Sequence, residues 1–175
     1  MDEQLIKEQL EEIENIKKIR ELAGKINRIK TAMLTTADIS GQPRSRPMHT
    51  HQMQDDGVIW FFTGKDTSTV KEVTANPMVN LSYTDPNTNL YISVNGVAAL
   101  TTDSYKVDEL WSEMLRAWFP KGKNDPNLTL LRVDVTEAEY WDAPDSLVSQ
   151  LVSVVKATLK GNPYKIGENK KVDLQ

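Results

Sequence analysis

The chain has 175 residues, with 21 lysines and arginines against 25 aspartates and glutamates, for a formal net charge of −4. That length suits one domain with its own core, and the acidic balance excludes a general nucleic-acid binder, whose footprint is basic. Cysteine is absent, which excludes disulfides, thiolate catalysis and Cys-ligated zinc or iron–sulfur sites. No apolar run approaches the roughly 20 residues of a membrane span, and the charged N-terminus lacks a signal-peptide core. The chain therefore reads as cytoplasmic, with no membrane and no nucleic-acid partner.

Residues 1–30 predict one long amphipathic helix. Leu5, Ile6, Leu10, Ile13, Ile16, Ile19, Leu22, Ile26 and Ile29 recur in steps of three or four, so one stripe is expected to lie on the domain or on a partner subunit. Residues 31–160 form the main domain. Met33–Thr36, residues 44–53 and Val58–Thr63 predict three strands, with turns at Ser40–Pro43 and at Asp55-Asp56-Gly57. A short helix follows, capped by Asp66, Thr67 or Ser68, or by a capping box of Thr69 with Glu72, and stopped by Asn76-Pro77.

Met78–Thr84 and residues 90–101 are further strands, the second with a bulge or close backbone approach at Gly96. A helix from Asp103 or Ser104 to about Phe119 is expected to carry Val107, Leu110, Trp111, Met114, Leu115 and Trp118. It puts Trp111 and Trp118 on one face. Residues 128–141 alternate as a strand, and Pro144-Asp145-Ser146 opens a last helix carrying Leu147, Val148, Leu151, Val152 and Val155. Residues 161–175 read as a polar tail. Consecutive strands with short helices between them predict a mainly β fold with helical additions: a six-stranded antiparallel barrel with a long N-terminal helix and a C-terminal helix.

The densest chemistry lies at Arg44, Arg46, His49 and His51. The two arginines share one strand face and form a candidate anion seat, or else a charged edge strand. The histidines stand at i and i+2, a spacing that can ligate metal, but two histidines with no correctly spaced carboxylate make a metal site a poor reading. Trp60-Phe61-Phe62 is a buried strand of which one phase can face a ligand. There is no GxGxxG, P-loop or GxSxG motif, which argues against Rossmann, P-loop and serine-hydrolase chemistry.

The ordered set Thr35-Thr36, Gly41, Pro43, Arg46-Pro47-Met48, Trp60-Phe61-Phe62-Thr63, Asn76-Pro77, Val79, Leu81, Tyr83, Gly96, Trp118-Phe119-Pro120 and Tyr140-Trp141 resembles general stress protein 26, of the pyridoxamine 5′-phosphate oxidase-like, FMN-binding split-barrel superfamily. The resemblance spans about residues 25–145. It implies a split barrel acting as a homodimer, with FMN at the subunit interface. It assigns the flavin phosphate to Arg46, with Arg44 second, and the flavin edge to the strand through Pro47, Met48 and His49. It gives Phe62 and Thr63 the end of the next strand, Thr67, Ser68 and Thr69 the phosphate-binding turn, and Trp118 and Phe119 an approach to the flavin from the partner subunit. Ser68-Thr69 stand where the family usually has a basic residue. The implied activity is that of an FMN-dependent oxidoreductase with unidentified substrate and unknown catalytic residues. A non-catalytic flavin-binding stress protein and a split barrel using a deazaflavin, haem or no cofactor stand as alternatives. Pyridoxamine phosphate oxidase activity itself is not expected, because the basic C-terminal residues that serve it are missing.

Overall fold

The structure, a computed structural model, describes residues 3–142 and 168–173. Helix α1 (Glu3–Ile29) follows the three-and-four spacing of its apolar residues. Its second half lies on the barrel, where Leu22 and Ile26 are fully buried, each such burial contributing about 1.5–3 kcal/mol. Lys25 pairs with Asp142 at 2.5 Å and Glu21 accepts the Tyr140 hydroxyl at 2.7 Å. The first half carries Leu5, Leu10 and Ile13 exposed, so the domain uses only part of the stripe.

The strands are β1 (Thr31–Ala37), β2 (Pro43–His49), β3 (Gln52–Met53), β4 (Val58–Gly64), β5 (Met78–Asp85), β6 (Leu90–Thr101), β7 (Leu128–Asp142) and β8 (Glu168–Asp173). Helix α2 (Ser68–Ala75) joins β4 to β5, and α3 (Ser104–Leu110) follows β6. All pairings are antiparallel, in the order β2-β1-β5-β6-β7-β4-β3, with β8 on β7. Residues 44–53, expected as one strand, change partner partway. β2 pairs with β1 and β3 pairs with β4, while between them the Thr50 N–H reaches the Lys30 carbonyl and the His51 N–H reaches the Trp60 carbonyl. This switch closes the sheet, so β2 and β3 together count as one of the six expected barrel strands. At Gly96 the β6–β7 register shifts by a bulge, as the isolated glycine suggested.

Two cores flank β4, which is buried on both faces. Ile59 and Phe61 enter the barrel interior with Leu34, Leu81, Tyr83, Ile92, Leu131 and Val133. Trp60 and Phe62 face outward under a second cluster built from Val107, Leu110, Leu115, Phe119, Leu128 and Leu130. This second core breaks the long helix expected from Asp103 to Phe119. α3 ends at Leu110, Trp111 is extended, and a separate 3₁₀ turn spans Glu113–Ala117. The break turns Leu115 and Phe119 into the core and leaves Met114 and Trp118 exposed. Trp111 and Trp118 therefore do not share a helix face. Tertiary burial outweighed the local period.

Part of the expected polar tail is structured, since β8 pairs with the second half of β7 along Glu137–Asp142. Val172, buried there, anchors a stretch whose polarity hid its strand character. The predicted helix opening at Pro144 lies outside the described residues.

Candidate functional site

The end of β2, the end of β4 and the segment after α3 enclose an open cleft of about 680 Å³. Its apolar wall comes from Phe62, Met114, Leu115, Trp118 and Phe119. Phe62 is held by its strand and by edge contacts to His51 at 4.7 Å and Trp111 at 6.0 Å, with Phe119 at 6.4 Å. Trp118 remains 70% exposed, so a large aromatic face stands open to a ligand. Volume and lining both suit a flat heterocycle of cofactor size.

His49 and His51 line the same cleft with their rings 5.1 Å apart, edge to face. The partner switch at Thr50 brings them together. Burial, with a smaller push from His49, lowers the His51 pKa to about 4, so its imidazole is neutral at physiological pH and offers one donor and one acceptor. Among the described residues no group of three His, Cys, Asp or Glu side chains is placed to hold a metal ion.

The polar end of the cleft is built by the loop from β4 into α2. Thr67 is the N-cap of α2 and accepts the Val70 N–H at 3.4 Å, while its hydroxyl donates to the Gly64 carbonyl at 2.8 Å. The Thr63 hydroxyl lies 3.3 Å from it. Asp66 is clasped by Asn127, whose amide donates to its carboxylate at 3.0 Å and accepts its N–H at 3.2 Å. Antiparallel pairing of Gly64 with Leu128 delivers Asn127 to this spot.

The sequence-derived residues divide sharply. Pro47, Met48, His49, Phe62, Thr63, Thr67, Trp118 and Phe119 all line the cleft. Ser68 and Thr69 do not. Ser68 is exposed, and Thr69 is buried on the inner face of α2. Arg44 and Arg46 also lie outside the lining. Arg44 pairs with Asp38 at 2.9 Å. Arg46 donates to Thr36 Oγ1 at 2.5 Å and to Glu72 Oε2 at 2.6 Å, and Thr36 donates to the same carboxylate oxygen. Glu72 thus pins α2 to β1 and β2 and is no capping-box partner. Burial would raise its pKa, but the Thr36 hydroxyl and the Arg46 guanidinium outweigh that and hold it below the usual carboxylate value. Trp118 and Phe119 line this cleft within their own chain.

Sequence reasoning passed over Thr31, Gly64, Asp66, Ser112, Met114, Leu115 and Asn127 as lining, and assigned the flavin edge to His49 without His51. The signal for Asn127 was pairing between distant strands, which a single sequence does not display. In the sequence Asp66 reads only as a capping candidate.

Comparison with known proteins agrees with this architecture. The family model for pyridoxamine 5′-phosphate oxidase-like proteins matches residues 14–165. A putative general stress protein 26 from Jannaschia sp. CCS1 superposes with a TM-score of 0.72 at 30% identity, covering 89% of this chain and 97% of that one. A general stress FMN/FAD binding protein from Xanthomonas citri gives 0.64 at 34% identity, covering 73% and 93%. The protein bli-3 of Neurospora crassa is 24% identical over 168 residues, 90% of this chain and 80% of that protein. The chain belongs to the pyridoxamine 5′-phosphate oxidase-like family, among the relatives of general stress protein 26.

Proposed function

We propose that this chain is a cytoplasmic flavin-binding stress protein that works as an oxidoreductase, with FMN as the flavin its resemblance implies. The carrying observation is the open aromatic cleft walled by Phe62, Trp118 and Phe119, with two imidazoles at its side. The similarity to a Xanthomonas citri protein described as FMN/FAD binding supports the same reading. The residues that would hold the group are these aromatics against the ring, and Thr63, Thr67 and the start of α2 at the far end. A bound flavin would supply its own electron and hydride chemistry, while the protein orients it and sets its electrostatics. His51, neutral and half-buried, would present a hydrogen bond to a ring edge without adding charge.

We further propose a homodimer. Met33, Met78 and Val97 stand exposed on β1, β5 and β6, where Met78 and Val97 are direct cross-strand neighbours. Such apolar side chains on a sheet face suit a second copy. Light scattering at micromolar concentration should give the dimer mass, and a monomer with flavin bound would remove this part of the proposal. For the flavin itself, purified chain should quench the fluorescence of added FMN to a saturating, stoichiometric endpoint. Turnover of NAD(P)H with an electron acceptor should then appear only with the flavin present. Saturable binding without turnover would leave a flavin holder and remove the oxidoreductase.

A further inference from the structure

The polar end of the cleft has a chemistry of its own, and its meaning rests on the flavin reading above. An anionic phosphate is normally met by lysine or arginine, or by helix N–H groups. Among the described residues the lining contains no lysine and no arginine. Arg44 and Arg46 are turned to Asp38 and Glu72, and Arg116, next to Leu115, pairs with Glu113. What lies at this end is a carboxylate, Asp66, beside the hydroxyls of Thr63 and Thr67 and the amide of Asn127. The start of α2 brings a positive end of roughly half a charge, and Lys65 on the same loop is exposed outside the lining; Asp66 is the one full charge among the described lining residues.

Carboxylate, amide and hydroxyls together suit a polyhydroxylated chain. Asp66 Oδ1 is occupied by Asn127, and among the described residues no partner is found for Oδ2. A carboxylate at this end repels a phosphate, while an uncharged hydroxyl chain meets no such penalty. The Thr63 and Thr67 hydroxyls can exchange donor and acceptor roles with such a chain.

We propose that this cleft recognises an uncharged flavin through its ring and its polyol chain, and that Asp66 is the specificity-determining residue that discriminates against the terminal phosphate. Riboflavin then binds within threefold of FMN, in contrast to a site built around a phosphate seat.

The experiment is a pair of fluorescence-quenching titrations, riboflavin and FMN, on the full chain and on Asp66→Asn. Asparagine keeps the bond to Asn127 and removes the charge. The expected result is a riboflavin dissociation constant no more than threefold above that of FMN in the native chain. In the variant, FMN binding should tighten threefold or more while riboflavin changes less than threefold. Retained riboflavin binding also shows that the variant is folded. A greater than threefold preference for FMN in the native chain overturns the proposal, and so does an Asp66→Asn variant with unchanged FMN affinity. Binding of neither flavin overturns the flavin reading itself and is distinguishable from both. If riboflavin binding alone is lost in the variant, Asp66 holds the fold or the ring, and its discriminating role is refuted.

Discussion

Replacing Arg46 with methionine separates its structural role from a ligand role. The guanidinium ties Thr36 on β1 to Glu72 on α2, and it is only 19% exposed, against 9% for its carboxylate partner. Removing one member of a fully buried pair costs about 3–5 kcal/mol because the other charge is stranded. Residual solvent access and the surviving Thr36 bond lower that to about 2–4 kcal/mol. In a domain of this size each kcal/mol moves the melting midpoint by about 2–4 °C, so Arg46→Met should melt roughly 4–16 °C lower by circular dichroism. The double variant Arg46→Met/Glu72→Leu removes both charges and should recover much of the loss. Acid also distinguishes the native pair. Glu72 has a folded pKa below its unfolded value, so its stabilisation is full above the unfolded value and is lost as pH falls through the folded one. The gap between native chain and Arg46→Met should therefore narrow on acidification. Flavin affinity, measured well below both midpoints, should be unchanged. A midpoint within about 2 °C of native, together with a tenfold loss of flavin affinity, would refute the reasoning and return Arg46 to the ligand.

Three further outcomes are expected. Gly96→Ala should destabilise by about 1–3 kcal/mol or more in urea titration, because its Cβ would sit 2.6 Å from Val133 Cγ1 and 2.7 Å from the Asp134 carbonyl oxygen; an unchanged midpoint would show that β6 and β7 separate freely there. Trp118→Ala should leave the melting midpoint within about 2 °C, since the side chain is exposed, yet weaken flavin binding by about tenfold through lost ring contact; equal affinity would remove Trp118 from the site. The His51 imidazole should titrate by NMR at about 4. Its folded pKa lies below the ordinary 6.5, so protonation favours the unfolded chain. The resulting loss of stability begins as pH falls below about 6.5 and is complete below about 4; titration near the ordinary value would show the ring to be solvated.

Local periodicity made most of the barrel legible. Strand-forming runs at Met33–Thr36, Val58–Thr63, Met78–Thr84 and residues 90–101, and the alternation of residues 128–141, marked strands that exist, Gly96 marked its bulge, and Asn76-Pro77 ended α2. Elements whose shape depends on distant partners were less visible. Nothing local in Trp111-Ser112 shows that the second core needs Leu115 and Phe119 on its side of a break. Nothing in the polar run at 168–173 shows that β7 has a free edge waiting for it. At the cleft Phe62, Thr63 and Thr67 were readable as lining because β4 and the N-cap of α2 fix them locally. The pairing of Arg44 with Asp38 and of Arg46 with Glu72 was not legible, because a turn and a helix bring those carboxylates to β2 by tertiary packing.

Whether the cleft between β2, β4 and the segment after α3 holds a flavin is tested most directly by purifying the native chain, denaturing it and identifying the released chromophore by mass. The account predicts a yellow protein that releases a flavin in stoichiometric amount, or an apoprotein that takes up added flavin to the same stoichiometry. A colourless protein that neither releases a flavin nor binds one when titrated would contradict it.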